Sequence, residues 1–193
     1  MKQSLTLRAK EIKLNRIKNN LKVYDAGLGE NPLPPPKSIV SSIKKYSHLK
    51  QYTSATGIDE MKNILGNKLI VGNGLKPLLY IVQLSFSKLY KNGTILHCLP
   101  RWVSYSEQTN LIGSNVVTVP CNKNWKIEPE TLDNILCNIN GPKMILFNNP
   151  NNPSGCVYNE KEIINLCRIF KKWIWEVVFL LIGNISNSIL LLV

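Results

Sequence analysis

From residue 68 onward, the apolar positions of this 193-residue chain fall into short continuous runs that alternate with longer stretches of helical spacing. The runs "KLIV" (68–71), "TILHCL" (94–99), "NVVTVP" (115–120) and "KMILF" (143–147) have the length and the β-branched or bulky content of strands. Between and after them, "LKPLLYIVQLSFSKLY" (75–90), "VSYSEQTNLIG" (103–113), "EPETLDNILCNI" (128–139) and "EKEIINLCRIFKK" (160–172) read as helices. The first tolerates Pro77 because it falls in the first turn, the second closes at Gly113, and the last opens with Asn159 and Glu162 at capping-box spacing. Strands that alternate with helices predict an α/β fold with a mainly parallel sheet and flanking helices. Ligands of such sheets bind beyond the carboxyl ends of the strands.

The amino-terminal third is organised differently. Leu5, Ile12, Leu14, Ile17 and Leu21 recur at loosely helical spacing among lysines and arginines, which predicts a basic amphipathic arm or helix over residues 1–26. "GLGENPLPPPKS" must be a loop, residues 37–48 a helix after Pro36, "YTSATG" (52–57) a turn and "IDEMKNIL" (58–65) a short helix.

Charge changes this picture little. The formal net charge is +12, and seven of the first 22 residues are basic against the single acid Glu11. Lysine, asparagine and isoleucine are frequent along the whole chain, and aromatic residues do not interleave with the basic ones as a single-strand nucleic-acid face requires. The charge is therefore read as compositional, and nucleic acid is not expected as a partner. Five cysteines, an odd number with no Cys-x-x-Cys pair, and two histidines, His48 and His97, argue against a zinc site and a disulfide framework. Most of the thiols are expected in the core of a protein in a reducing compartment. The amino terminus has no apolar stretch like a signal peptide, so cytoplasmic residence is the expectation.

Candidate chemistry gathers at three places, each just after a predicted strand. "GNGLK" (72–76) opens a long helix, where glycines permit close backbone approach and first-turn amides favour a phosphate or carboxylate. "PRWVSY" (100–105) sets Trp102 and Tyr105 beyond "TILHCL", where the tryptophan either caps the core or stacks on a flat ring. "NNPNNPSG" (148–155) follows "KMILF", and its two prolines stiffen a loop that is either an ordinary turn or a holder for Asn149, Asn151 or Asn152.

In that order the three segments resemble the class I/II aminotransferases, the pyridoxal-phosphate enzymes of fold type I, with the aspartate aminotransferase branch most similar. "PRWVSY" is similar to that branch's Pro-x-Trp-Val-Ser-Tyr and "NPNNPSG" to its Asn-Pro-x-Asn-Pro-Thr/Ser-Gly. "GLGENP" resembles its amino-terminal Gly-Glu-Pro segment with one residue inserted, and "YTSATGIDEMK" its Tyr-Thr-x-x-x-Gly before a helix. The resemblance implies residues 27–172 as part of the cofactor-binding large domain. It implies pyridoxal 5'-phosphate as cofactor, with backbone amides at Gly74, Leu75 and Lys76 cradling the phosphate, Trp102 stacking on the pyridine and Asn152 bonding the ring's phenolic oxygen. Gly29, with Trp102 and Asn152, would face the substrate, and Tyr52 would reach the phosphate of the neighbouring subunit in a homodimer. The implied activity passes an amino group from an amino acid, aspartate-like, to a 2-oxo acid.

The same resemblance implies groups this chain lacks: an aspartate for the pyridine nitrogen, a tyrosine on the phenolic oxygen, the Schiff-base lysine and the carboxylate-binding arginines. Every aspartate (Asp25, Asp59, Asp133) precedes the Asn-Pro loop, and Lys161, Lys171, Lys172 and Arg168 after it all fall on one predicted helix. No catalytic residue is assigned. The later strands and the small carboxy-terminal domain that the resemblance implies are not expected within residues 1–193. The tail, "WIWEVVFLLIGNISNSILLLV" (173–193), departs from the family and leaves three readings. It is the product of a shifted or truncated frame, a membrane anchor flanked by Lys171 and Lys172, or a sheet strand "VVFLLI" with an irregular end. The expectation is an amino-terminal fragment inactive on its own. The alternative is a non-catalytic membrane-associated protein anchored by that tail.

Overall fold

The computed structural model describes residues 5–25, 33–55, 57–65, 72–173, 177–183 and 189–192. The chain divides into two compact units, Met1–Tyr52 and Thr53–Val193. The "GLGENP" segment with Gly29, and the strand expected over 68–71, lie outside the described residues.

The first unit carries helix α1 (Leu5–Lys18) and helix α2 (Lys37–Tyr46). The first was legible as apolar residues at helical spacing and the second as the segment after Pro36. On α2, Ile39, Ile43 and Tyr46 recur at i, i+4 and i+7, and all three are exposed. Tyr52, the last residue of this unit, is fully exposed.

The second unit holds the α/β body. After α3 (Asp59–Leu65) come α4 (Leu75–Leu89), β1 (Thr94–Cys98), α5 (Val103–Ile112), β2 (Asn115–Val119), α6 (Pro129–Cys137), β3 (Lys143–Asn149), α7 (Glu160–Lys172), β4 (Val177–Gly183) and β5 (Ile189–Leu192). The sheet order is β2-β1-β3-β4-β5, with every pairing parallel except β4 with β5. Central strands of a parallel sheet are covered on both faces and so read as unbroken apolar runs. Thus six residues of β3, Lys143 to Asn148, are buried in succession, whereas β2 at the edge leaves Asn115, Val116 and Thr118 exposed.

Alternate residues of β1 and β3 feed two cores. On one face Leu96, Ile145 and Phe147 pack with Leu132 and Leu136 of α6 and Leu166 and Phe170 of α7. On the other, Ile95, Met144 and Leu146 pack with Leu79 and Phe86 of α4 and Tyr105 of α5. Each fully buried leucine contributes about 1.5–3 kcal/mol relative to its exposed state. At the start of α7, Asn159 and Glu162 form the anticipated capping box: Asn159 Oδ1 accepts the Glu162 amide at 3.0 Å, and Glu162 returns the bond at 2.8 Å.

Two expectations need correction. Cys137 and Cys167 are exposed on helices, and the other three thiols are half-buried at the margin of the core; all five are free. The tail's "VVFLLI" pairs with β3 as a sheet strand, one of its three readings. Among the described residues no helix is long and apolar enough to cross a membrane, so the helical anchor of the alternative reading has no counterpart there.

Candidate functional site

The carboxyl ends of β1 and β3 and the first turn of α4 supply the candidate residues. Beyond β1 the chain passes Pro100 and Arg101 to Trp102, whose extended backbone caps α5. Beyond β3 the Asn-Pro loop runs from Asn149 to Gly155. The peptide bonds before Pro100, Pro150 and Pro153 are cis.

Asn148 and Asn149 at the end of β3, with Asn151 of the loop, hold it to its surroundings. Asn148 is buried, and its Oδ1 accepts the amide of Asn152 at 2.8 Å. Asn149 Oδ1 accepts the amide of Tyr158 at 3.0 Å. Asn151 Nδ2 donates to the Pro100 carbonyl at 3.0 Å and to Ser154 Oγ at 2.8 Å, tying the loop after β3 to the loop after β1. These bonds fix the backbone of Asn152 and leave its side chain exposed. The loop is thus a held structure, and Asn152 is the asparagine it presents.

The aromatic platform is built from Trp102 and Tyr105. Their rings meet edge to face with centroids 5.7 Å apart, and Tyr105 is buried while Trp102 is half-exposed. Burial pushes the Tyr105 phenol well above its ordinary range. Lys76 Nζ lies 5.6 Å from the centre of the Trp102 ring, so the first turn of α4 and the platform adjoin. Gly74 caps α4 with φ +101°, a conformation that disfavours a side chain. Its own amide donates to the Gly72 carbonyl at 2.8 Å, and Pro77 has no N–H. Of the three amides the sequence suggested, those of Leu75 and Lys76 are the ones helix geometry leaves for an anion.

His97, which sequence reading did not assign, is fully buried on β1, with both ring nitrogens lacking a hydrogen-bond partner and its ring 6.4 Å from Tyr105. Burial, with a smaller contribution from Arg101, lowers its pKa from 6.5 to about 4. On the opposite sheet face a small cleft beneath the Asn-Pro loop is lined by Cys98, Cys121, Cys156, Phe147 and Tyr158 among others. It does not include Gly74, Lys76, Trp102 or Asn152, and burial raises the Cys121 thiol to about 11 and Cys98 further, so these thiols stay protonated.

What the site lacks is equally definite. In register beside Asn148 and Asn149 stand Ile182 and Gly183 of β4, a strand of sequence "VVFLLIG" with no ionisable residue. Lys161, Lys171 and Lys172 are exposed on α7, and Lys172 pairs with Asp133 at 2.7 Å. Arg168 is exposed on the same helix. No group of three or more His, Cys, Asp or Glu among the described residues can hold a metal.

The parallel α/β sheet thus carries an aromatic pair, a glycine-capped helix and a fixed asparagine loop at its carboxyl edge. The model of the family "Aminotransferase class I and II" matches residues 21–178, and the chain belongs to that family. Family members use pyridoxal phosphate. Among curated relatives, the chain is 28% identical over 184 residues to an aspartate aminotransferase of Bacillus sp. (strain YM-2), an alignment covering 86% of this chain and 45% of the relative. It is also 28% identical over 192 residues to a probable aspartate/prephenate aminotransferase of Rickettsia prowazekii, covering 90% and 47%. The fold superposes on the aspartate aminotransferase of Rhizobium meliloti with a TM-score of 0.79 at 18% identity, covering 94% of this chain and 48% of that one. The Thermus thermophilus aspartate aminotransferase gives 0.75 at 22%, covering 95% and 50%. The chain spans about half the length of the relatives it matches.

The residues present fit part of the cofactor. The open approach at Gly74, where an added Cβ would meet nothing within 4 Å, suits a phosphate, and the half-exposed Trp102 suits a ring.

Proposed function

We propose that this chain carries the cofactor-cradling half of an aminotransferase site and not its catalytic half. The observation that carries the reading is the adjacency of the α4 first turn to Trp102, with the Asn-Pro loop bonded to the Trp102 loop through Asn151. In this reading the Leu75 and Lys76 amides hold the phosphate, Trp102 orients the pyridine, and Asn152 donates to its phenolic oxygen. When bound, pyridoxal phosphate supplies the electron sink for exchanging an amino group between an amino acid and a 2-oxo acid. Moving the proton at the amino acid's α-carbon requires a lysine at the ring, and the three lysines after the Asn-Pro loop are exposed on α7. The substrate class of the complete site is an aspartate-like amino acid with a 2-oxo acid acceptor.

Gly29 at the substrate and Tyr52 at a neighbouring subunit's phosphate belong to this proposal, supported by their positions in family-like segments, as do the homodimer and the domain limits 1–26, 27–172 and 173–193. Cytoplasmic residence is supported by five unpaired thiols. The test is amine transfer from aspartate to 2-oxoglutarate with the purified chain and added pyridoxal phosphate. No turnover above the cofactor's own background is expected. Enzyme-dependent turnover that saturates with aspartate overturns the reading.

A further inference from the structure

Two buried carboxamides join the helix that opens at Gly74 to the helix that begins at Trp102. Gln108 of α5 donates through Nε2 to the Lys76 carbonyl at 2.8 Å. Gln83 of α4 donates through Nε2 to Gln108 Oε1 at 2.7 Å and to the Leu79 carbonyl at 3.0 Å. Both side chains are buried beside Leu79, Phe86 and Tyr105, and Gln83 Oε1 has no partner. Packing alone does not call for this arrangement. A pair of apolar side chains of similar volume would fill the space without the desolvation cost of two amides and an unmet acceptor.

The bonds do something that apolar packing does not. Lys76 is the second residue of α4, so its carbonyl belongs to the same turn as the Leu75 and Lys76 amides. Gln108 lies a turn and a half beyond Trp102 on α5, separated from Lys76 by 32 positions in the chain. A directional bond from one helix to the first turn of the other fixes how far that turn can slide or rotate against the aromatic platform. Gln83 holds Gln108 in the rotamer that reaches it.

We propose that Gln108, oriented by Gln83, is a positioning residue that sets the offset between the α4 first turn and Trp102, and thereby the affinity of the site for the phosphate group of a flat-ring ligand. The proposal rests on the reading of this edge as a cofactor cradle. Gln108 acts through Lys76 and does not touch the ligand.

The test uses the full chain in four forms: unaltered, Gln108→Met, Gln83→Met and the double variant. Methionine keeps length and volume while deleting the bonds. Binding of pyridoxal phosphate is compared with binding of pyridoxal, which has the ring and no phosphate. Gln108→Met is expected to weaken pyridoxal phosphate about tenfold, the worth of one lost directional hydrogen bond, and to leave pyridoxal within about twofold. Gln83→Met, which spares the bond to Lys76, is expected to have a smaller effect in the same direction and none on top of Gln108→Met. An equal loss for both ligands indicates a general packing defect and overturns the proposal, as does no loss for either. Amide hydrogen exchange supplies a readout that needs no ligand and separates this proposal from the cradle reading. The Leu79 and Tyr80 amides, which close onto Leu75 and Lys76, should exchange faster in Gln108→Met while that of Leu96 in β1 is unchanged. Unchanged exchange at Leu79 and Tyr80 overturns the positioning role. Failure of the unaltered chain to bind pyridoxal phosphate, with exchange altered as expected, overturns the cradle reading alone. If Gln108→Met does not fold, Gln83→Met decides both measurements.

Discussion

His97 makes the energetics of the second core depend on pH. Its imidazole is buried among Ile95, Leu146 and Tyr105 neighbours with no partner for either nitrogen, so the fold accepts it only neutral. The unfolded chain takes up that proton near the ordinary value of 6.5, and the folded chain only near 4. Stability is therefore expected to fall as pH is lowered from about 6.5 to about 4, by on the order of 3 kcal/mol. Denaturant unfolding across that window checks it, and His97→Leu should flatten the slope. A second expectation concerns Tyr158, whose hydroxyl accepts the buried Ile127 amide at 2.6 Å and whose ring packs on Phe147 at 4.9 Å. Tyr158→Phe keeps the ring and orphans the amide, which should cost about 1–3 kcal/mol. A midpoint shift in urea unfolding at unchanged slope would show it. Neither residue was legible as special in the sequence. A histidine inside "TILHCL" and a tyrosine after "NNPSGCV" carry no periodic signal, and their partners lie on other elements.

Secondary elements were far more legible, because their signals are local. The runs of β1 and β3 announced strands, Gly113 closes α5 in the left-handed conformation with φ +75°, and Asn159 with Glu162 announced the start of α7. Asn159→Ala should cost α7 about 1 kcal/mol, read as a lowered unfolding midpoint, with Glu162 still held by Lys126 at 2.7 Å. The glutamines were legible only in retrospect. Leu79, Gln83 and Phe86 share one face of α4, and a polar residue within an apolar stripe signals a buried hydrogen bond without naming its partner. The tail was ambiguous for the opposite reason. "VVFLLI" is apolar throughout, and periodicity alone does not separate a strand from part of a membrane helix. Pairing with β3 over seven residues, from Lys143 opposite Val177 to Asn149 opposite Gly183, makes it a strand.

At the scale of the whole molecule, the chain spans about half the length of the relatives it matches and brings part of the proposed cofactor site together within that span. Trp102, Lys76 and the Asn-Pro loop stand at one edge of the second unit, fixed by Gln108 and Asn151, while the strand beside Asn148 and Asn149 brings no carboxylate. In the proposed reading such an edge holds a ring and a phosphate, and among the described residues no lysine after the Asn-Pro loop stands at it. Trp102→Leu should weaken that hold about tenfold, roughly the 1.4 kcal/mol of a lost stacking contact, without altering the fold seen by far-ultraviolet circular dichroism. The measurement that bears most directly on this account is equilibrium dialysis of the purified chain against pyridoxal phosphate and, separately, pyridoxal. The account predicts saturable one-to-one binding of pyridoxal phosphate, weaker binding of pyridoxal, and a loss of affinity in Trp102→Leu. Binding that does not saturate, or that is indifferent to the phosphate and to Trp102, would contradict it.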